Sequence, residues 1–244
     1  MKLIIHCGFH KTGTSSFQKI CYNNLNLLRQ NNIFYPEHVS KQHWYFFPNI
    51  SPEFIQNQYK LTRNNIDENG TWLLSAEDFE GFLVRIDLAK QIEIFCENNN
   101  IELEWIFVNR NQFEYLNSLY GMLSSPVPRN ENSKSGFVLN YDVMADTILK
   151  NGIYTLSNYK LDYYFIFRYK DYIENFSNNM NSKVKIIDYN YFNEIYSGRP
   201  IIKSISKNVD NIFMDREEVK NTYINTRSSD YDIEKRYLSN YSQI

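Results

Sequence analysis

Lys2 to Cys7 is a short apolar run, rich in isoleucine, that stops at Gly8. Small and hydroxyl residues fill the next stretch, to Ser16. Then Phe17, Ile20, Cys21, Leu25 and Leu28 recur at helical steps. An apolar run of six residues ending in glycine reads as a buried strand, and the later spacing as one face of a helix. The first unit is therefore strand, tight loop, helix. That order commits the chain to an α/β architecture more firmly than any other stretch does.

The rest of the chain repeats the alternation. Trp72 to Ser75, Leu103 to Val108 and Lys183 to Asp188 read as further strands. Helical spacing is expected over Ile86 to Glu97, Gln112 to Leu123, Tyr141 to Lys150, Leu156 to Phe176 and Ile201 to Val209, with another helix near the C-terminus. Pro36, Pro48 and Pro52 break the pattern between Pro36 and Asn69, and 124–136 reads as a loop. The expected fold is a three-layer α/β, P-loop-type fold with a mainly parallel central sheet flanked by helices. With no repeat and no clean boundary, residues 1–244 are expected to form one domain.

Composition narrows the function. A formal net charge of −2 over 244 residues is not the basic footprint of a nucleic-acid binder, although a local anion site needs only a few residues. Cys7, Cys21 and Cys96 are far apart and form no metal or disulfide pattern, which fits a reducing compartment. The N-terminal apolar run is too short for a signal peptide, and no stretch has the length of a membrane span. A cytoplasmic protein with no integral membrane segment is expected.

The segment Gly8 to Ser16 is where chemistry is expected. A helix N-terminus presents unpaired backbone N–H groups and the positive end of a dipole. A glycine-containing loop there lets the backbone wrap an oxyanion closely. The usual triphosphate loop reads GxxxxGKS or GxxxxGKT. Here Gly8 and Gly13 have that spacing, Thr14 stands in the lysine's place, and the lysine sits inside the loop at Lys11. A lysine so placed lies nearer the bridging oxygen of a shorter anhydride than the end of a triphosphate. The plain alternative is a helix-capping turn in which Thr14 or Ser15 satisfies backbone groups.

At Ile5 to Gln18, IHCGFHKTGTSSFQ, the chain resembles the 5′-phosphosulfate loop of the PAPS-dependent sulfotransferases (PAPS, 3′-phosphoadenosine 5′-phosphosulfate) in their bacterial, carbohydrate-type form. The resemblance implies a donor site built from His10, Lys11, Thr12, Gly13, Thr14, Ser15 and Ser16. The family's second signature is an arginine at a strand end with a serine eight residues on, and the two hold the 3′-phosphate. Arg110 after Leu103 to Val108, and Ser118 in NRNQFEYLNSLYG, match that pattern. A guanidinium is a planar fork suited to phosphate. Taken alone, the pair could equally be a solvent-exposed arginine and a surface serine.

The implied activity is sulfuryl transfer from PAPS to a hydroxyl of a carbohydrate or glycolipid acceptor, with adenosine 3′,5′-bisphosphate as product and no metal cofactor. Lys11 is the candidate for charge on the leaving oxygen, and Glu77 in LLSAEDF is the candidate base, with Asp78 and His43 as competitors. Glu77 could instead cap a helix, and His43 could be a structural loop histidine. The resemblance runs from Lys2 to about Gly121 and thins beyond it. The glycine-rich basic loop of animal cytosolic members is absent, and Lys134, Lys203, Lys207 and Arg227 are unassigned. Two other readings stay open: a P-loop kinase of a small molecule, which predicts a lysine after Gly13, and a non-catalytic nucleotide-binding homologue.

Overall fold

The computed structural model describes residues 1–10, 12–123, 141–158 and 161–222. In chain order the elements begin with β1 (Lys2–Cys7), α1 (Thr14–Asn23), α2 (Leu25–Gln30), β2 (Ile33–Phe34), α3 (Phe46–Asn49), α4 (Pro52–Arg63) and β3 (Thr71–Ala76). A 3-10 turn (Asp78–Leu83) leads to α5 (Ile86–Asn98), β4 (Glu102–Asn109), α6 (Gln112–Leu123) and α7 (Tyr141–Asn151). Then come β5 (Ile153–Asn158), β6 (Leu161–Ile166), α8 (Tyr169–Asn179), β7 (Lys183–Asp188), α9 (Tyr189–Phe192), α10 (Arg199–Ile205), α11 (Lys207–Asp215) and α12 (Glu217–Lys220).

The central sheet has five strands in the order β2-β3-β1-β4-β7, and each pairing is parallel. Helices flank it, so the expected three-layer α/β fold is the one observed. Alternation along the strands explains the layers. Leu3, Ile5 and Cys7 of β1 join Trp72, Leu74, Trp105 and Phe107 in one core, under α5, α6, α8 and the β5–β6 hairpin. Ile4 joins Leu73, Ile106, Phe17, Ile20 and Phe213 in the second core, under α1, α10 and α11. Strand β1 is buried on both faces, which is why its sequence is a nearly continuous apolar run.

Three expectations about local structure are corrected. Leu156 to Phe176 is not one helix: β5 and β6 form an antiparallel hairpin, and the helix begins only at Tyr169. The dense run from Tyr163 to Phe167 has no clean period, and its aromatic content suits a strand. Pro52 starts a helix rather than interrupting one. It sits in the first turn of α4, where its missing N–H costs nothing, and Ser51 Oγ accepts the Phe54 N–H at 3.2 Å. The segment Ile201 to Val209 is split at Ser206, whose Oγ caps α11 through the Val209 N–H at 3.3 Å. The expected 124–136 loop lies outside the described residues, as does everything after Thr222. No helix among the described residues is long and apolar enough to cross a membrane.

Candidate functional site

Parallel pairing brings the C-terminal ends of four strands to one edge of the sheet. In spatial order these ends lead into Glu77 after β3, Gly8 after β1, Arg110 after β4 and Tyr189 after β7. Sites in open α/β sheets form at this edge. The spacing of neighbouring strands puts the four ends within about 14 Å of one another.

The loop after β1 is built by hydrogen bonds that turn its hydroxyls inward. Gly8 N–H continues the ladder to Ala76 O at 3.2 Å. Thr12 Oγ1 donates to Phe9 O at 2.6 Å and lies 3.1 Å from Thr14 Oγ1. Both threonines are fully buried, so their hydroxyls brace the loop. Gly13 is the N-cap of α1 in the left-handed region, with φ 86°, and no side chain caps the helix. A Cβ at Gly8 would lie 1.9 Å from Thr14 Oγ1, and one at Gly13 2.4 Å from Asn193 Oδ1. Both glycines are therefore required by close approach. No side-chain hydrogen bond among the described residues caps α1, and an N-terminus of this kind suits an oxyanion. Lys11, the charge the sequence puts in this loop, lies outside the described residues.

Asn193, just after α9, holds the loop from below. Its Nδ2 donates to Tyr189 O at 2.9 Å and to Thr12 O at 3.4 Å, and its Oδ1 accepts from Ser197 Oγ at 2.7 Å. Phe192 stacks on His6, with centroids 5.1 Å apart, and meets Phe17 edge-on. Helix α9 therefore packs beneath β1 and α1 at once.

On the other side, Glu77 reaches the loop directly. Ser15 Oγ donates to Glu77 Oε1 at 3.0 Å. His10 points inward, with Nδ1 2.8 Å from Glu80 Oε1 and Nε2 3.9 Å from Glu77 Oε2. Burial opposes charge on His10, but the carboxylates of Glu80, Glu77 and Asp78 outweigh it and raise its pKa to about 9. Burial pushes the Glu80 carboxyl up to about 7 against the pull of His10. Burial likewise raises Asp78. Glu80 thus holds one nitrogen of the His10 ring beside the loop, and Glu77 faces the other.

His43 is placed differently from its expected role. It is fully buried, its Nε2 donates to Pro36 O at 2.9 Å, and its Nδ1 accepts the Ser75 N–H at 2.9 Å. Burial lowers its pKa to about 4. With both nitrogens engaged it has no lone pair for an acceptor proton, so His43 is corrected to a pin that holds the 36–43 segment on β3. His6 has the structural place expected of it: Nδ1 lies 2.9 Å from Ser75 Oγ, and burial lowers its pKa to about 3.

At the end of β4, Arg110 is nearly buried and lies over the Tyr189 ring, 4.6 Å from its centroid. Its Nη2 pairs with Glu114 Oε2 at 3.2 Å, and its carbonyl accepts from Tyr169 OH. Asn111 caps α6, with Oδ1 accepting the Glu114 N–H at 3.3 Å. Glu114 and Ser118 are four residues apart on α6 and share one of its faces, and Arg110, just before the helix, reaches that face through its pair with Glu114. The pairing with Glu114 gives this arginine an internal anion at the place where an outside one is expected.

The structure brings His10, Thr12, Gly13, Thr14, Ser15, Ser16, Glu77 and Arg110 to the same edge. Two participants escaped the sequence reading: Glu80 looked like one more acid in a short acidic run, and Asn193 lies 181 residues from Thr12. Among the described residues no group of His, Cys, Asp and Glu could hold a metal ion. The three cysteines are free and buried, with burial raising each thiol. The chain matches no protein-family model and no curated protein.

Proposed function

We propose that the chain is a sulfotransferase of the PAPS-dependent family, acting on a hydroxyl of a carbohydrate or glycolipid. One observation carries the reading: the uncapped glycine loop after β1 and the arginine after β4 stand at the ends of adjacent parallel strands. Two anion sites one strand apart suit a donor phosphorylated at both its 3′ and 5′ positions. A kinase of a simple triphosphate has no use for the second, and Thr14 takes its lysine's place.

PAPS supplies a sulfuryl group on a 5′-phosphate that leaves with the electron pair of the bridging S–O bond. The residues divide the remaining work. The α1 N-terminus and the backbone at Gly13 hold the 5′ end, and Lys11 neutralises charge on the leaving oxygen. Arg110 and Ser118 hold the 3′-phosphate, with Glu114 released as it enters. Glu77, fixed by Ser15, takes the acceptor's proton. The cytoplasmic assignment belongs to the same proposal.

Calorimetry with adenosine 3′,5′-bisphosphate, with and without magnesium and against ATP, tests it. Magnesium-independent binding that Lys11→Ala and Arg110→Ala both weaken is the expected result. Preference for magnesium-ATP, or no loss in Arg110→Ala, would overturn it in favour of the kinase. Binding without sulfuryl transfer would leave a nucleotide-binding homologue.

A further inference from the structure

Behind Glu77 lies a cluster that the proposed reaction does not yet use. His10 and Glu80 are buried, with side chains 8% and 1% exposed. The His10 ring meets Phe165 edge-on at 4.9 Å, which limits its rotation. Glu80 Oε1 takes His10 Nδ1, while Glu80 Oε2 and the Tyr115 hydroxyl are buried without a hydrogen-bond partner among the described residues. Buried polar atoms left unpaired are costly, and they concentrate where function demands them.

We propose that His10 and Glu80 are positioning residues for Glu77: Glu80 anchors the ring through Nδ1, and the ring presents Nε2–H to Glu77 Oε2. The inference rests on Glu77 being the base. Ser15 already holds Oε1 of that carboxylate at 3.0 Å, and a hydrogen bond from His10 to Oε2 would fix its plane. An ionised carboxylate has about four lone-pair sites. Ser15 occupies one and His10 faces another, and the others remain for the acceptor's proton. The 3.9 Å between Nε2 and Oε2 is an ion-pair distance. It needs to shorten by roughly 1 Å for a charge-assisted hydrogen bond, the kind of tightening that follows substrate binding.

Above about pH 7, where Glu80 gives up the proton that burial holds on it, a neutral imidazole would set a lone pair against one of the two carboxylates. There the arrangement calls for the imidazolium, in line with the raised pKa of His10. The titratable groups around the ring are Glu77, Asp78 and Glu80 from the segment after β3, Tyr115 from α6 and Cys7 from β1, the last two coupled to Glu80. None of these brings a second positive charge, so His10 is the cation of the described cluster.

The test is a side-chain NMR titration of the four histidines in the full, unliganded chain, in wild type, Glu77→Gln and Glu80→Gln. His10 is expected to titrate near pH 9 in wild type and lower in both variants. An unchanged His10 titration in Glu77→Gln would overturn the inference, even if Glu80→Gln failed to fold. On the catalytic side, Glu80→Gln is expected to lower kcat by up to about 100-fold, since misplacing a reacting group by about 1 Å costs that much. It should also move the acid limb of the pH–rate profile upward while leaving adenosine 3′,5′-bisphosphate affinity within about twofold. A folded Glu80→Gln with wild-type kcat and pH profile would overturn it as well. If wild type transfers no sulfuryl group, the functional reading fails separately, and the titration still decides whether His10 holds Glu77.

Discussion

Ser15 Oγ donates to Glu77 Oε1 at 3.0 Å, joining the first turn of α1 to the residue that follows β3. The glycine loop and the candidate base are thus joined directly, although 62 residues separate them. Glu77→Gln keeps an oxygen for the Ser15 hydroxyl and removes the charge that accepts a proton. The loop should stay in place. Turnover is expected to fall by about 10²–10⁴, the usual worth of a general base. Adenosine 3′,5′-bisphosphate affinity should change little. Steady-state kinetics beside calorimetry separates the two, and wild-type turnover would remove Glu77 from the mechanism.

Arg110 and Glu114 make the second prediction. The guanidinium is 11% exposed and the carboxylate 50%, so Glu114 can swing into water while Arg110 stays. A half-exposed ion pair is worth at most about 1 kcal/mol. Glu114→Gln should therefore tighten binding of adenosine 3′,5′-bisphosphate by no more than about fivefold. Arg110→Ala removes a charged donor worth about 1.5–3 kcal/mol and should weaken binding by roughly 10–100-fold. Adenosine 5′-phosphate, which lacks the 3′ group, should show neither effect. Equal losses for both ligands would mean that Arg110 supports the fold and not the 3′-phosphate.

Gly13 and Asn193 test how the loop is held. Gly13→Ala places a side chain at φ 86° and a Cβ 2.4 Å from Asn193 Oδ1. The backbone part of the cost is about 1–2 kcal/mol. The contact adds to it. In an Asn193→Ala background the contact is relieved and the backbone cost stays, so Gly13→Ala should cost less there than in wild type. A double-mutant cycle by denaturant unfolding measures the difference. Strict additivity would show that Asn193 does not press on the loop.

The central sheet was legible because each of its longer strands carries its own signal. Lys2 to Cys7, Leu103 to Val108 and Lys183 to Asp188 are short apolar or alternating runs bounded by turns, and strand period survives in any context. The β5–β6 hairpin was not legible, since a run such as Tyr163 to Phe167 fits either period. Strand β2 is too short to signal at all. At the site, Gly8, Gly13 and Glu77 could be found from spacing and from their place after a strand. Glu80 and Asn193 could not. Their roles come from contacts made across the sheet edge, and sequence separation hides those. His43 misled for the opposite reason: a histidine near a candidate site looks reactive until both nitrogens are seen to be bonded.

His6, His10 and His43 also set how stability depends on pH. His43 and His6 are buried neutral, with burial lowering their pKa values to about 4 and about 3 from 6.5. The unfolded chain takes up protons there that the folded chain refuses. Their contribution is present above pH 6.5 and lost as pH falls through about 4. His10 has the opposite sign. Although burial opposes its charge, its carboxylate neighbours raise its pKa to about 9, so its contribution is full below pH 6.5 and lost as pH rises through about 9. Glu80, raised by burial to about 7 from 4.5, holds its proton in the folded state, and its contribution declines as pH rises through about 7. Between pH 7 and 8, below the range where the buried thiols matter, the slope therefore belongs chiefly to His10. Because His10 also pulls the Glu80 carboxyl down, the control removes both groups. Urea unfolding at pH 7, 7.5 and 8 should show stability falling in wild type and nearly level in His10→Gln/Glu80→Gln. An equal slope in both would mean that the folded chain does not hold a proton on His10, and the imidazolium between Glu80 and Glu77 would have to be abandoned.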